Sequence, residues 1–178
     1  GELKEIKPSQ YLEGTLIEIK NLFKSIPARL KFLKSDRAEG ISILEVVKKL
    51  ALSHPEISFR LYEIKDAGNP REILRLEKSA GSNGLSKRIQ EVLKNSFMDN
   101  SHQVDYESES VKVTGYIGSP TFISGKSSGC YFFVNGRFVR DRSLLSFIRL
   151  AYGDLLEKSG FPSAILFFNV PSEEIDVN

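Results

Sequence analysis

Apolar and polar positions change their period several times along this chain, and each change marks an element. Between Gly14 and Lys20, apolar Leu16, Ile17 and Ile19 interrupt polar residues and predict a strand. Pro27 suits the first position of a helix, so PARLKFLK predicts a short one carrying Arg29, Lys31 and Lys34. Asp36 and Glu39 have capping-box spacing and predict a longer helix to about Leu52. Its expected core stripe is Ile43, Val46, Val47 and Leu50, and His54-Pro55 ends it. Gly40 inside that helix costs about 1 kcal/mol relative to alanine and argues for a later start. Alternation returns at Ile57 to Ile64 and at Arg71 to Glu77, two strands flanking the turn-forming DAGNP. Leu85 to Phe97 has helical period, with Leu85, Ile89, Val92 and Leu93 inward. Gln103 to Glu107 and Val111 to Ile117 predict a hairpin with an acidic ESES tip, and Gly118 to Gly129 a flexible connection.

The chain is organised around Gly129 to Leu156, GCYFFVNGRFVRDRSLLSFIRLAYGDLL. Cys130 to Val134 is apolar and aromatic enough for the centre of a sheet. Asn135-Gly136 is a strong hairpin signal, because both residues tolerate the positive φ of a type I′ turn. Arg137 to Arg140 returns as a short strand, and Asp141 caps a helix whose apolar face is Leu144, Ile148, Ala151, Tyr152 and Leu155. Arg142 and Arg149 are seven apart and lie on the opposite face, with Arg137 and Arg140 beside them. That basic face is either a solvated surface or a site for an anionic partner. Ala164 to Val170 then reads as a buried interior strand. Three longer helices and about eight strands make a mixed α/β layer arrangement.

Composition narrows the class. At 178 residues, 40% hydrophobic and 27% charged, this is ordinary globular composition, sufficient for a real core. A net charge of +2 permits an acidic partner without demanding one. The single cysteine, Cys130, allows no intrachain disulfide and reads as a packing residue in a reducing compartment. No apolar stretch reaches membrane-spanning length, and the first residues, GELKEIK, are neither a signal peptide nor a start methionine, which predicts an excised piece.

Candidate chemistry mostly fails. Gly125-Lys126-Ser127 resembles the end of a phosphate loop, but that pattern needs glycine where Pro120 stands. His54 and His102 have no cysteine or paired carboxylate at ligand spacing, so no metal site is expected. Glu173-Glu174 reads as a solvated pair, and Ser159 and Ser163 lack a nucleophile-elbow context. No catalytic residue is assigned, and the chain alone is not expected to be an enzyme.

Three motifs, in order, carry a resemblance. Gly14-Thr15, Leu22-Phe23, Pro27-Ala28-Arg29 and Lys31-Phe32-Leu33 make up the first; Val134-Asn135-Gly136-Arg137 with Arg140-Asp141 the second. The third is Val170-Pro171 with Asp176-Val177-Asn178. Together they resemble the MutL family of DNA mismatch repair proteins, whereas the stretch from Ser53 to Ser128 is generic.

The resemblance implies part of a two-domain ATPase region of the gyrase, chaperone, histidine-kinase and MutL type. Residues 1–26 correspond to the tail of the ATP-binding domain and its junction, and 27–178 to a transducer-like second domain, truncated at its C-terminal end. Gly14 and Thr15 match the remnant of an ATP site whose catalytic glutamate, Mg-binding asparagine, glycine-rich lid and lysine lie outside this chain. Hence ATP and Mg are expected as cofactors of the parent protein, and none for the fragment. The implied fold is a mixed sheet with helices on one face, similar to the second domain of a small-subunit ribosomal protein, with a left-handed β-α-β crossover against the usual rule.

The family binds DNA without sequence preference along a positive groove between paired N-terminal regions. Arg142 matches a groove-facing position; Arg137 and Arg140 share its motif, and Arg149 is the more distant candidate. Arg29 matches a residue expected to tie the domain junction together. Implied partners are DNA, the mismatch-recognition protein MutS, a downstream nuclease or helicase, and a second copy on ATP binding; the implied location is cytoplasmic in a bacterium, or nuclear in a eukaryote. Two alternatives stay open: a module docking an acidic repair partner, and the transducer domain of a related type II topoisomerase ATPase, against which the Pro-Ala-Arg and Asp-Val-Asn motifs speak.

Overall fold

Burial on both faces of one sheet organises residues 40–178. The computed structural model describes residues 13–65, 68–124, 129–156 and 160–175. The chain divides into two units, Gly1–Glu39 and Gly40–Asn178.

In the first unit, residues 14–20 form no strand. This corrects the sequence reading. Leu16, Ile17 and Ile19 are exposed, and without a paired neighbour their backbone has no ladder to join. Helix α1 is Pro27–Leu30, shorter than the PARLKFLK pattern predicts, with proline in its first turn as expected. Asn21 and Phe23 take positive φ ahead of it, which ends the run of extended backbone.

Helix α2 spans Asp36–Ser53. Its capping differs by one residue from the expected box. Ser35 Oγ accepts from Ala38 N, while Glu39 reaches back to Lys34 N at 2.9 Å. Gly40 is interior, so the helix does not start late. Its facing also differs from expectation. Ile43, Val46 and Leu50 are exposed and Val47 is half-buried, whereas Ala51 and Leu52 are fully buried. The apolar stripe is broad enough for either flank to turn inward, and tertiary packing selects the Leu52 side.

Strands β1 (Phe59–Glu63) and β2 (Arg71–Leu76) form a two-stranded antiparallel sheet. The next helix is broken: α3 is Gly84–Leu93 and α4 is Asn95–Asp99, separated by Lys94 at φ 71°. No glycine marks that break, so the periodicity runs straight through it. Strands β3 (Ser101–Glu107) and β4 (Lys112–Gly118) make the expected hairpin. Ile123–Ser124 is β5, and it pairs with β8 (Phe161–Pro162), giving order to part of the connection expected to be flexible; 125–128 lie outside the described residues.

Strand β6 is Cys130–Val134 and β7 is Arg137–Val139, with Asn135 at φ 47° and Gly136 at φ 79° between them, the signs a type I′ turn requires. Helix α5 covers Arg142–Tyr152 and tightens into a 3₁₀ turn at Gly153–Leu155. Strand β9, Ala164–Asn169, lies between β4 and β6, antiparallel to the first and parallel to the second. The five-stranded order is β3-β4-β9-β6-β7, so the expected interior strand and mixed sheet are observed.

Helix placement departs from the one-faced arrangement. Side chains alternate across a strand, so β6 and β9 divide by parity. Tyr131, Phe133 and Ile165 pack with Ala51 and Leu52 of α2, Ile89 and Val92 of α3, and Phe97 of α4. Cys130, Phe132, Ala164 and Leu166 pack instead against Leu144, Leu145 and Ile148 of α5. The sheet therefore carries helices on both faces. Ala151 and Leu155, expected inward, are exposed, because the switch to a 3₁₀ turn rotates the end of α5 away.

Candidate nucleic-acid interface

The β6–β7 turn and the start of α5 are held by local hydrogen bonds that the residue types dictate. Asp141 accepts from Leu144 N at 2.8 Å, the N-cap expected from the sequence. Ser53 Oγ donates to the Gly136 carbonyl and braces the turn. Asn135 donates through Nδ2 to Val170 O at 2.9 Å and accepts through Oδ1 from Val170 N at 3.0 Å. Its own amide donates to Phe168 O at 2.9 Å. In the sequence the Asn-Gly pair signals only a turn, yet its side-chain amide also clamps the exit of β9. An asparagine with Val-Pro far downstream carries no local sign of that contact.

On this scaffold Arg137, Arg140 and Arg142 are all exposed. None pairs with a carboxylate among the described residues. Arg137 opens β7, Arg140 follows that strand, and Arg142 opens α5. The helix start adds backbone N–H groups and a partial positive charge, which favour an anion. Arg149 is placed differently. It is half-buried two turns along α5, and its guanidinium lies 5.1 Å from the Phe161 ring centroid. The outermost face of α5 carries Phe147 and Leu150, both exposed, so the arginines occupy its flank.

Lys49 belongs to no sequence motif that points to a site. Its ammonium sits 4.0 Å from the Phe138 ring centroid on β7. Beside it a cavity of about 180 Å³ is lined by Glu45, Lys49, Tyr131, Phe138, Arg140 and Asp141. Two cations face two carboxylates there. Tyr131 OH donates to Glu45 at 3.3 Å, and burial together with that carboxylate pushes the phenol up to about 12. The cavity is therefore a balanced polar pocket rather than an anion trap.

Arg88 is equally silent in the sequence. It is fully buried on α3 and donates to the carbonyls of Ala51, His54, Pro55, Ile57 and Glu77. Glu91 lies 3.5 Å from its Nε. A lone arginine on a helix ordinarily reads as surface, and nothing in the local pattern marks it otherwise.

In the first unit Gly14 has φ 118° and Thr15 is exposed. Arg29, in α1, stacks its guanidinium 5.7 Å from the Phe23 centroid. No group of metal-binding side chains is found among the described residues, and none of their helices is long and apolar enough to cross a membrane. Cys130 is buried, with Sγ donating to Pro162 O at 2.9 Å; burial pushes its thiol up to about 11.

This fold is shared with solved structures of known class. An Aquifex aeolicus MutL ATPase domain complexed with ADP aligns with a TM-score of 0.60 at 27% identity, covering 86% of this chain and 51% of that one. The N-terminal domain of a DNA repair protein aligns with a TM-score of 0.72, covering 88% of this chain and 50% of that one; at 24% identity it supports the fold alone. The class is thus the mixed α/β domain found in the ATPase region of mismatch repair proteins. Residues 89–178, just over half the chain, match the family described as DNA mismatch repair protein, C-terminal domain. MutL of Agrobacterium fabrum is 40% identical over 178 residues, and MutL of Allorhizobium ampelinum 41%. The chain belongs to the MutL family of DNA mismatch repair proteins. It spans 28% of the length of these two relatives.

Proposed function

We propose that this chain is the transducer-like second domain of a MutL-type protein, with residues 1–26 forming its junction to an ATP-binding domain. In this reading it couples ATP binding in the neighbouring domain to dimerisation. It binds DNA without sequence preference through Arg142, Arg137 and Arg140, with Arg149 at the margin. The observation that carries the reading is the group of three exposed arginines without carboxylate partners among the described residues, placed on one braced hairpin and helix start. Guanidinium forks suit phosphate oxygens, and affinity that ignores sequence arises mainly from counterion release.

Gly14 and Thr15 are then the remnant of an ATP site completed elsewhere, and Arg29 belongs to the junction. ATP and Mg are held by the parent protein, with MutS and a downstream nuclease or helicase as its partners in the bacterial cytoplasm. The chain alone is not catalytic. Calorimetry of the chain with ATP is expected to give no saturable heat, and micromolar binding would refute the domain boundaries.

The decisive test uses Arg142→Glu in the full-length, ATP-bound dimer. DNA affinity is expected to fall equally for all sequences, since phosphate contacts carry no base information. The slope of log affinity against log salt is expected to flatten by about 0.9, the share of a single phosphate neutralised. Unchanged affinity at low salt would return this face to a solvated or protein-docking surface.

A further inference from the structure

The opposite edge of the sheet, far in strand order from the arginine hairpin, is built as a receptor for an extended chain. Strand β3 is an edge strand of seven residues, paired only with β4, in an unbroken register from Ser101↔Gly118 to Glu107↔Lys112. Two hydrogen bonds fix which of its backbone groups are already used. Ser108 N donates to Val111 O at 2.9 Å at one end, and Ser119 N donates to Asn100 O at 2.7 Å at the other. Antiparallel pairs alternate between bonded and non-bonded, so even-numbered residues 100 to 108 bond to β4. The N–H and C=O groups of Ser101, Gln103, Asp105 and Glu107 consequently point outward. No proline or bulge interrupts them, although such devices commonly blunt an open edge.

The side chains define the guest. From Asp99 to Lys112 there are four carboxylates, Asp99, Asp105, Glu107 and Glu109, all exposed, against the one ammonium of Lys112. Lys112 is engaged with Glu107 at 2.8 Å, while Asp105 has no ion pair among the described residues. Asp105 and Glu107 share one face of the strand, and Val104 and the exposed Tyr106 share the other. A second copy pairing edge to edge would bring two acidic strands together, and like charges across a strand pair are unfavourable.

We propose that β3 accepts an extended basic segment of a partner as a sixth strand. Lysines or arginines at alternate positions lie over Asp105 and Glu107, and the intervening apolar residues lie beside Val104 and Tyr106. Main-chain bonds supply affinity and the alternating side chains supply selectivity, as in other cases of strand addition. This surface is independent of the DNA-facing reading and survives its failure.

The probe is the peptide Ac-(Lys-Val)4-NH2, titrated into the 178-residue chain and followed by amide NMR and hydrogen exchange. The peptide is expected to slow exchange at least tenfold at Ser101, Gln103, Asp105 and Glu107, leaving the even-numbered amides of β3 unchanged. Gln103→Pro removes only an outward N–H, so the β3–β4 ladder persists and peptide affinity is expected to fall at least tenfold. Asp105→Lys is expected to do the same, and tests the charge term with no backbone change. Ac-(Glu-Val)4-NH2 is expected not to bind. Equal binding of that acidic peptide, unprotected odd-numbered amides, or concentration-dependent protection of those amides without peptide would each overturn the proposal.

Discussion

Asn135 and Val170 form a two-bond bridge, the side-chain amide of the first matching the backbone N–H and C=O of the second at 2.9 and 3.0 Å. It joins the hairpin turn to the exit of β9, two places that are 35 residues apart. Asn135→Ala is expected to cost about 1–3 kcal/mol, because it removes both bonds and places alanine at φ 47°. Asn135→Gly separates the two effects by relieving the backbone while still lacking the bonds. Urea titration should rank wild type above Gly above Ala; equal stability of all three would show the bridge to be energetically silent.

Arg88 is expected to be irreplaceable by lysine. Its fork collects carbonyls from the end of α2, the following turn and the end of β2, and a single ammonium cannot reach all of them. Arg88→Lys should lose about 2–4 kcal/mol, and Arg88→Met more, because buried carbonyls are left unsatisfied. Thermal melts of the soluble variants check the order.

Gly115 on β4 has φ 137°, and a Cβ there would stand 2.1 Å from the Ile165 carbonyl oxygen. Backbone on both sides leaves no flexible atom to yield. Gly115→Ala should therefore separate β4 from β9 locally and cost at least about 3 kcal/mol. Lost protection of the β4–β9 amides in hydrogen exchange would report it directly.

Stability should decline in alkali. Burial raises the Cys130 thiol from 9.0 to about 11 and the Tyr131 phenol from 10.0 to about 12. Below about pH 9 both groups are protonated whether the chain is folded or unfolded, and their contribution is complete. Above it the unfolded chain loses protons first, so the contribution drains away as pH rises through the folded values. Urea midpoints between pH 7 and 11 should fall, and Cys130→Ala should flatten the part between about 9 and 11. A midpoint that rises over that range would contradict the buried placement of both groups.

Strands and caps governed by short-range chemistry were legible: the Asn-Gly hairpin, the Asp141 cap, the acidic hairpin and interior β9 all follow from neighbouring residues. What could not be read depends on distant parts of the chain. Which flank of α2 turns inward is decided by Phe133 and Ile165 across the sheet, not by the helix's own stripe. Lys94 breaks a helix without a glycine, and Arg88 is buried because carbonyls up to 37 residues away converge on it. At the candidate interface, the three arginines of one motif are exposed on one scaffold. Arg149 shares their charge and helix but stacks on Phe161, which lies beyond any pattern within α5.

Strand β9 is the last described strand in chain order, yet it occupies the middle of the five. During synthesis, the β3–β4 and β6–β7 hairpins emerge before the strand that joins them. Until residues 164–169 leave the ribosome, each hairpin exposes one flank that will later be covered, including Phe132 and Phe133 on β6. Completion of the sheet is thus a late, long-range event, of the kind that folds slowly and invites wrong partners. Nascent chains halted before Ala164 should engage chaperones more strongly than chains released after Asn169.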